Sequence, residues 1–120
     1  MAKKPEYNYK SLQTEYGKMP PQAVDLEEAI LGSLMLEKDA FITVSDFLKP
    51  ECFYKEAHQK IYRGIQNLSL NNEPVDILTV SEEMKRLGEL EEIGGYYYLA
   101  QLTSKVASAA HIEFHAVLLV

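Results

Sequence analysis

From residue 20 onward the apolar positions of the chain fall at helical spacing. After Pro20–Pro21, Leu26, Ile30 and Leu34 recur every fourth residue, which puts them on one face of a helix. Asp25 is the expected cap of that helix, with Glu28 three residues on in a capping-box arrangement. Gly32 interrupts it, where glycine costs about 1 kcal/mol relative to alanine, so close approach of a neighbouring helix is expected there. Asp39 is a second cap candidate, ahead of a short helix through Phe41, Ile42, Val44 and Phe47. Pro50 ends that helix and opens the next element. The longest pattern then runs through Phe53, Ala57, Ile61, Ile65 and Leu68. Asn71, Asn72 and Pro74 make a turn, Asp76 caps a helix bearing Ile77, Val80, Met84 and Leu87, and Gly88 stands at its stop. Beyond an acidic link containing Leu90 and Ile93, Gly94–Gly95 leads into a helix whose apolar side includes Tyr96, Leu99, Leu102 and Val106. Ser108 is the expected cap of a last helix. No stretch alternates with period two for long enough to make a strand. The expected fold is all-α: a compact bundle of about six short helices joined by short loops.

The two ends differ from this middle. Residues 1–19 show no sustained periodicity and are expected to be a flexible tail, although Tyr7, Tyr9, Leu12 and Tyr16 could pack locally. Residues 20–107 form the helical domain, and residues 108–120 a separate last helix. That helix carries Ile112, Phe114, Val117, Leu118 and Leu119 on several sides, more than one core face requires, so it needs a second partner. It finishes without a Gly, Asn or Pro stop, from which the expectation is that the chain has been cut and that further sequence continues this helix.

Composition narrows the class. With 120 residues, 47% hydrophobic and 25% charged, the chain suits one globular domain. Its single cysteine, Cys52, cannot form an internal disulfide and is expected to be a buried or half-buried small residue. A reducing, cytoplasmic setting is the simpler expectation. No apolar run approaches the roughly 20 residues of a membrane span, and no membrane partner is expected. The net charge of −6 is unevenly spread, because residues 1–19 carry four lysines against Glu6 and Glu15. The rest is therefore more acidic still, which argues against DNA as its main partner, since DNA affinity rests on Lys and Arg meeting phosphates. Protein partners are expected.

Candidate chemistry is sparse. His111 and His115 share a helix face, but HIEFH has its Glu two positions after the first His, unlike the metalloprotease pattern. His58 belongs to another helix, and no third ligand is evident, so no metal site is expected. Gly94–Gly95 lacks the strand, Lys and Ser/Thr of a phosphate loop, and a turn admitting a helix is expected instead. The pairs Glu27–Glu28, Glu82–Glu83 and Glu91–Glu92 are expected to be solvated helix surface. The tail lysines interleaved with tyrosines suit solubility better than nucleic-acid contact. No catalytic constellation is present, and no cofactor is expected to bind these residues.

Three stretches together resemble the N-terminal domain of the DnaB-type replicative DNA helicases. They are PPQAVDLEEAILGSLMLEKDA (Pro20–Ala40), LKPECFYKEAHQKIYRGIQNL (Leu48–Leu68) and EPVDILTVSEEMKRLGELEEIGGYYYLAQL (Glu73–Leu102), in register from about Pro20 to Val120. One departure is His111, where the family usually carries Asn. The resemblance implies a non-catalytic domain of a hexameric helicase that unwinds DNA with ATP and magnesium held in a separate RecA-like motor. These 120 residues contain no GxxxxGK[ST]. It also implies pairing through a helical hairpin into a collar of dimers, docking of the primase C-terminal domain, and visits by a helicase loader. On that basis residues 108–120 are the first arm of a truncated dimerisation hairpin, with Ile112, Phe114, His115, Leu118 and Leu119 as dimer-interface candidates. Asp25 and Tyr98 are the candidate primase contacts.

Two other readings compete. A small helical DNA-binding module would need a helix with a basic face, and none is apparent. A primase C-terminal, helicase-binding domain has a similar helical fold, but the run of motifs suits the helicase better.

Overall fold

The computed structural model describes residues 21–106 and 112–120, less the side chains of residues 21, 22 and 114. Its elements are α1 (Pro21–Leu36), α2 (Ala40–Val44), a 3-10 turn (Pro50–Cys52), α3 (Glu56–Leu70), α4 (Ile77–Arg86), α5 (Leu90–Ile93), α6 (Gly95–Ser104) and α7 (Ile112–Leu119). The described residues are thus all-α, as the spacing predicts. One helix beyond the expected six arises because the acidic link folds into the single turn α5. The expected tail, Ser108 and His111 lie outside the described residues.

Helix ends follow local chemistry with two corrections. Pro21 opens α1, a position suited to proline, so Asp25 lies a turn inside the helix, exposed, and does not cap it. Asp39 stands at the N-cap of α2, but with φ 67° and no side-chain hydrogen bond to the helix. Asp76 does cap α4. Its Oδ1 accepts from the Thr79 amide at 2.9 Å, and Thr79 Oγ1 accepts from the Asp76 amide at 2.9 Å. At the other end the Gly88 amide donates to Lys85 O and the Glu89 amide to Met84 O, the paired bonds of a Schellman stop.

α1 is the central helix, touching α2, α3, α4, α6 and α7. Ala23, Ile30, Leu31, Leu34 and Met35 are buried along it. At Gly32 the backbones of α1 and α6 meet: a Cβ there would lie 2.2 Å from Leu102 O and 2.6 Å from Val106 Cγ2. Close approach is the reason for that glycine. Phe53, ahead of α3, joins Tyr62 (ring centroids 5.2 Å apart) in the core, and Tyr62 Oη donates to Leu48 O at 2.7 Å. Burial pushes the Tyr62 phenol well above its ordinary pKa. Three positions of the expected apolar pattern turn outward, Ile42 of α2 (66% exposed) among them. Leu87 follows the last residue of α4 and is exposed, and Tyr96 in the first turn of α6 is 52% exposed. Tyr98, about 200° further round, takes the inward side at about 100° per residue.

α7 rests on α1 and α2. Ile112 and Ala116 are buried there and Leu119 is partly buried, whereas Val117, Leu118 and Val120 are exposed.

Candidate docking surface around Tyr98

The polar feature of the core is a chain of three side chains from three helices. Glu27 of α1 and His58 of α3 are both fully buried, with Glu27 Oε1 2.7 Å from His58 Nδ1. The other imidazole nitrogen, Nε2, lies 2.6 Å from the hydroxyl of Tyr98 on α6. Two backbone amides ahead of α3 complete the shell of Glu27: Tyr54 donates at 2.6 Å and Lys55 at 3.4 Å. Lys55 is the N-cap of α3 and makes no side-chain cap of its own. The Glu27 carboxylate fills that role from another helix, where a negative charge meets the positive end of the α3 dipole.

The Glu27 carboxylate can only accept, whereas the Tyr98 hydroxyl can donate or accept. Nδ1–H therefore donates to the carboxylate, and in a neutral ring Nε2 accepts from the Tyr98 O–H. Burial first, then Glu28 and Glu27, push the Tyr98 phenol up to about 12, so its hydroxyl keeps its proton at neutral pH. A buried carboxylate with three donors is satisfied; one that loses the imidazole donor costs roughly 1–3 kcal/mol.

Local sequence sets Tyr98 in place. Gly94 ends α5 with φ +111°, a conformation suited to glycine, and a Cβ there would lie 2.7 Å from the Tyr98 Cβ. Two side chains flank the Tyr98 ring. His58 lies nearly parallel to it, at 10° and 6.0 Å, and the Lys55 ammonium stands 5.7 Å from its centroid. The ring itself is half-buried. Further along the same α1–α6 seam, Lys105 pairs with Glu28 at 3.0 Å, with an approach that leaves Glu28 Oε1 outside hydrogen-bond geometry. Glu28 beside it, with a smaller contribution from Asp25, raises the Lys105 ammonium pKa.

With that geometry in view, the likeness to known proteins is specific. A family model described as the DnaB-like helicase N-terminal domain matches residues 19–120. The chain belongs to that family. The replicative DNA helicase DnaB of Rhodothermus marinus is 48% identical over 106 residues, 88% of this chain and 11% of that protein. DnaB of Geobacillus stearothermophilus is 41% identical over 99 residues, 82% of this chain and 22% of that protein. The chain thus spans a quarter or less of the curated relatives it matches. The crystal structure of the N-terminal domain of DnaB helicase from Mycobacterium tuberculosis superposes with TM-score 0.79 at 40% identity, covering 84% of this chain and 70% of that one. A DnaB-like replicative helicase, solved in a study of its interactions with primase, superposes with TM-score 0.69 at 30% identity, covering 79% of this chain and 22% of that one.

In this DnaB-type domain the two primase candidates sit on the helices of one seam, Asp25 exposed on α1 and Tyr98 half-buried on α6. The dimer-interface candidates divide. Ile112 is buried in the core of its own chain, Leu119 is partly buried, His115 is half-buried, and Leu118 is 41% exposed. The Phe114 side chain lies outside the described residues. Cys52 is half-buried, as expected, and accepts a long 3.5 Å contact from the Lys49 amide.

The expected solvation of the acidic pairs needs correction. Glu27 is fully buried, Glu28 is largely covered, and Glu83 is buried against Arg86 and Asn67. The sequence does carry a signal for the first of these. Ala23, Glu27, Ile30, Leu31 and Leu34 form one helical stripe, as do His58, Ile61, Tyr62 and Ile65. A carboxylate in one apolar stripe and an imidazole in another are partners in waiting.

Proposed function

We propose that this chain acts as the non-catalytic N-terminal domain of a hexameric replicative helicase, assembling its collar and docking primase during DNA replication in the bacterial cytoplasm. Unwinding belongs to the parent, with ATP and magnesium held in a separate motor. The observation that carries this reading is the match of the whole helical part to the DnaB N-terminal family, together with a seam that offers Asp25 and Tyr98 from adjacent helices. The primase C-terminal domain docks across α1 and α6. Self-association uses the outward side of α7, where Val117, Leu118 and Val120 are exposed beside His115 and Leu119. A helicase loader is a further visitor to the collar.

Residues 20–120 are acidic overall, and three of their basic side chains are already paired, which weighs against the competing DNA-binding reading. Lys60, Arg86 and Lys105 are each engaged by a carboxylate, on Glu92 and Glu56, Glu83, and Glu28 respectively. Replacing Asp25 and Tyr98 together by Ala, with helix content checked by circular dichroism, is expected to weaken binding of the cognate primase. Unaltered affinity in a folded double variant would remove the docking role.

A further inference from the structure

The docking reading leaves open why a buried ionisable pair lies behind the surface. Glu27 and His58 are both fully enclosed, yet apolar side chains could fill the same volume without the desolvation cost of a carboxylate. What an apolar filling lacks is direction. The imidazole reaches Glu27 through one nitrogen and the Tyr98 hydroxyl through the other, so the orientation of the phenol is tied to α1 through α3. Tyr98 is the member that reaches the surface. Its neighbours Tyr96 and Tyr97 are 52% and 73% exposed, and neither hydroxyl has a hydrogen-bond partner among the described residues.

We propose that His58 is a positioning residue for primase docking: anchored by Glu27, it fixes the Tyr98 ring in the orientation that the partner meets. The inference rests on the docking reading above and deepens it. Ordering a free phenol on binding costs affinity, and a ring held in advance removes that cost. Gly94 leaves the room that the Cβ end of Tyr98 occupies, and His58 fixes the hydroxyl end.

Two substitutions at His58 separate positioning from stability. An Asn amide reaches about where Nδ1 stands and can still donate to Glu27, but falls short of Tyr98. A Gln amide reaches about where Nε2 stands and keeps the link to Tyr98, but leaves Glu27 one donor short. His58→Asn is therefore expected to retain most of the thermal stability and to weaken binding of the cognate primase by about tenfold, the worth of one lost hydrogen bond. His58→Gln is expected to show the reverse, with lower stability and near-parental affinity at a temperature where it is folded. Tyr98→Phe is expected to match His58→Asn, and the double variant His58→Asn/Tyr98→Phe to bind no worse than either single one.

Additive losses in that double variant, or parental affinity in folded His58→Asn while Tyr98→Ala binds weakly, would overturn the positioning role alone. If Asp25→Ala and Tyr98→Ala both bind as the parent does, the docking reading itself falls. Should His58→Asn fail to fold, Tyr98→Phe decides, since it removes one oxygen: parental affinity would overturn the proposal.

Discussion

Gly32→Ala sets two physical effects against each other. Helix propensity alone favours alanine by about 1 kcal/mol at an interior helix position. The packing opposes it. The new methyl would stand 2.2 Å from the main-chain oxygen of Leu102 and 2.6 Å from Val106 Cγ2. A side chain can rotate away, whereas a carbonyl inside α6 moves only if the helix moves. Overpacking of this kind costs roughly 1–3 kcal/mol, and a backbone clash belongs at the upper end. The expected balance is a loss of about 2 kcal/mol, or a fall in Tm of roughly 8 °C for a domain of this size. Thermal unfolding followed by circular dichroism at 222 nm measures it. Adding Val106→Ala is expected to recover little, because the nearer atom is the main-chain oxygen. A Gly32→Ala protein as stable as the parent, or more stable, would refute the reasoning and leave propensity as the ruling effect.

Two further expectations concern α4. Asp76→Ala removes the carboxylate that accepts from the Thr79 amide, leaving only the bond from the residue-76 amide to Thr79 Oγ1, and is expected to cost about 1 kcal/mol, roughly a 4 °C lower Tm by the same assay. At Glu83, the Arg86 guanidinium holds the carboxyl below its ordinary range, against the effect of burial and with help from Asn67. A depressed folded pKa gives stability that is present above the unfolded value and lost as pH falls through the folded one. Glu83→Gln should therefore trail the parent at neutral pH and close the gap below about pH 4.3, in urea titrations run at a series of pH values. A gap that does not change with pH would remove the ionic contribution.

Much of the fold is legible because its signals are local. The Asp76 cap, the Gly88 stop, the Gly94 turn and the four-residue spacing along α3 each depend on residues a few positions apart, and each is found where the spacing puts it. Asp25 misled because a capping box is a pattern of types. Pro21 a turn earlier is as good a start, and it leaves Asp25 inside the helix. Reading Glu27 as solvated failed for a different reason. Its partners are Tyr54, Lys55 and His58, about thirty residues away, and adjacency to Glu28 says nothing about which face of α1 each one takes. Tyr98 stood out by family likeness, while its tie to His58 needed three helices in place.

Glu27 and Gly32 lie five residues apart on α1, and each fits a different neighbour: an acid facing His58 and a notch facing Leu102. Slide α1 by one residue so that Glu28 takes the place of its neighbour, and Ser33 arrives at the notch with a Cβ that the Leu102 oxygen excludes. Slide it the other way and Leu26 faces the imidazole with nothing to accept its proton. Like a key with two unequal teeth, the central helix seats in one register, and the whole bundle inherits that choice.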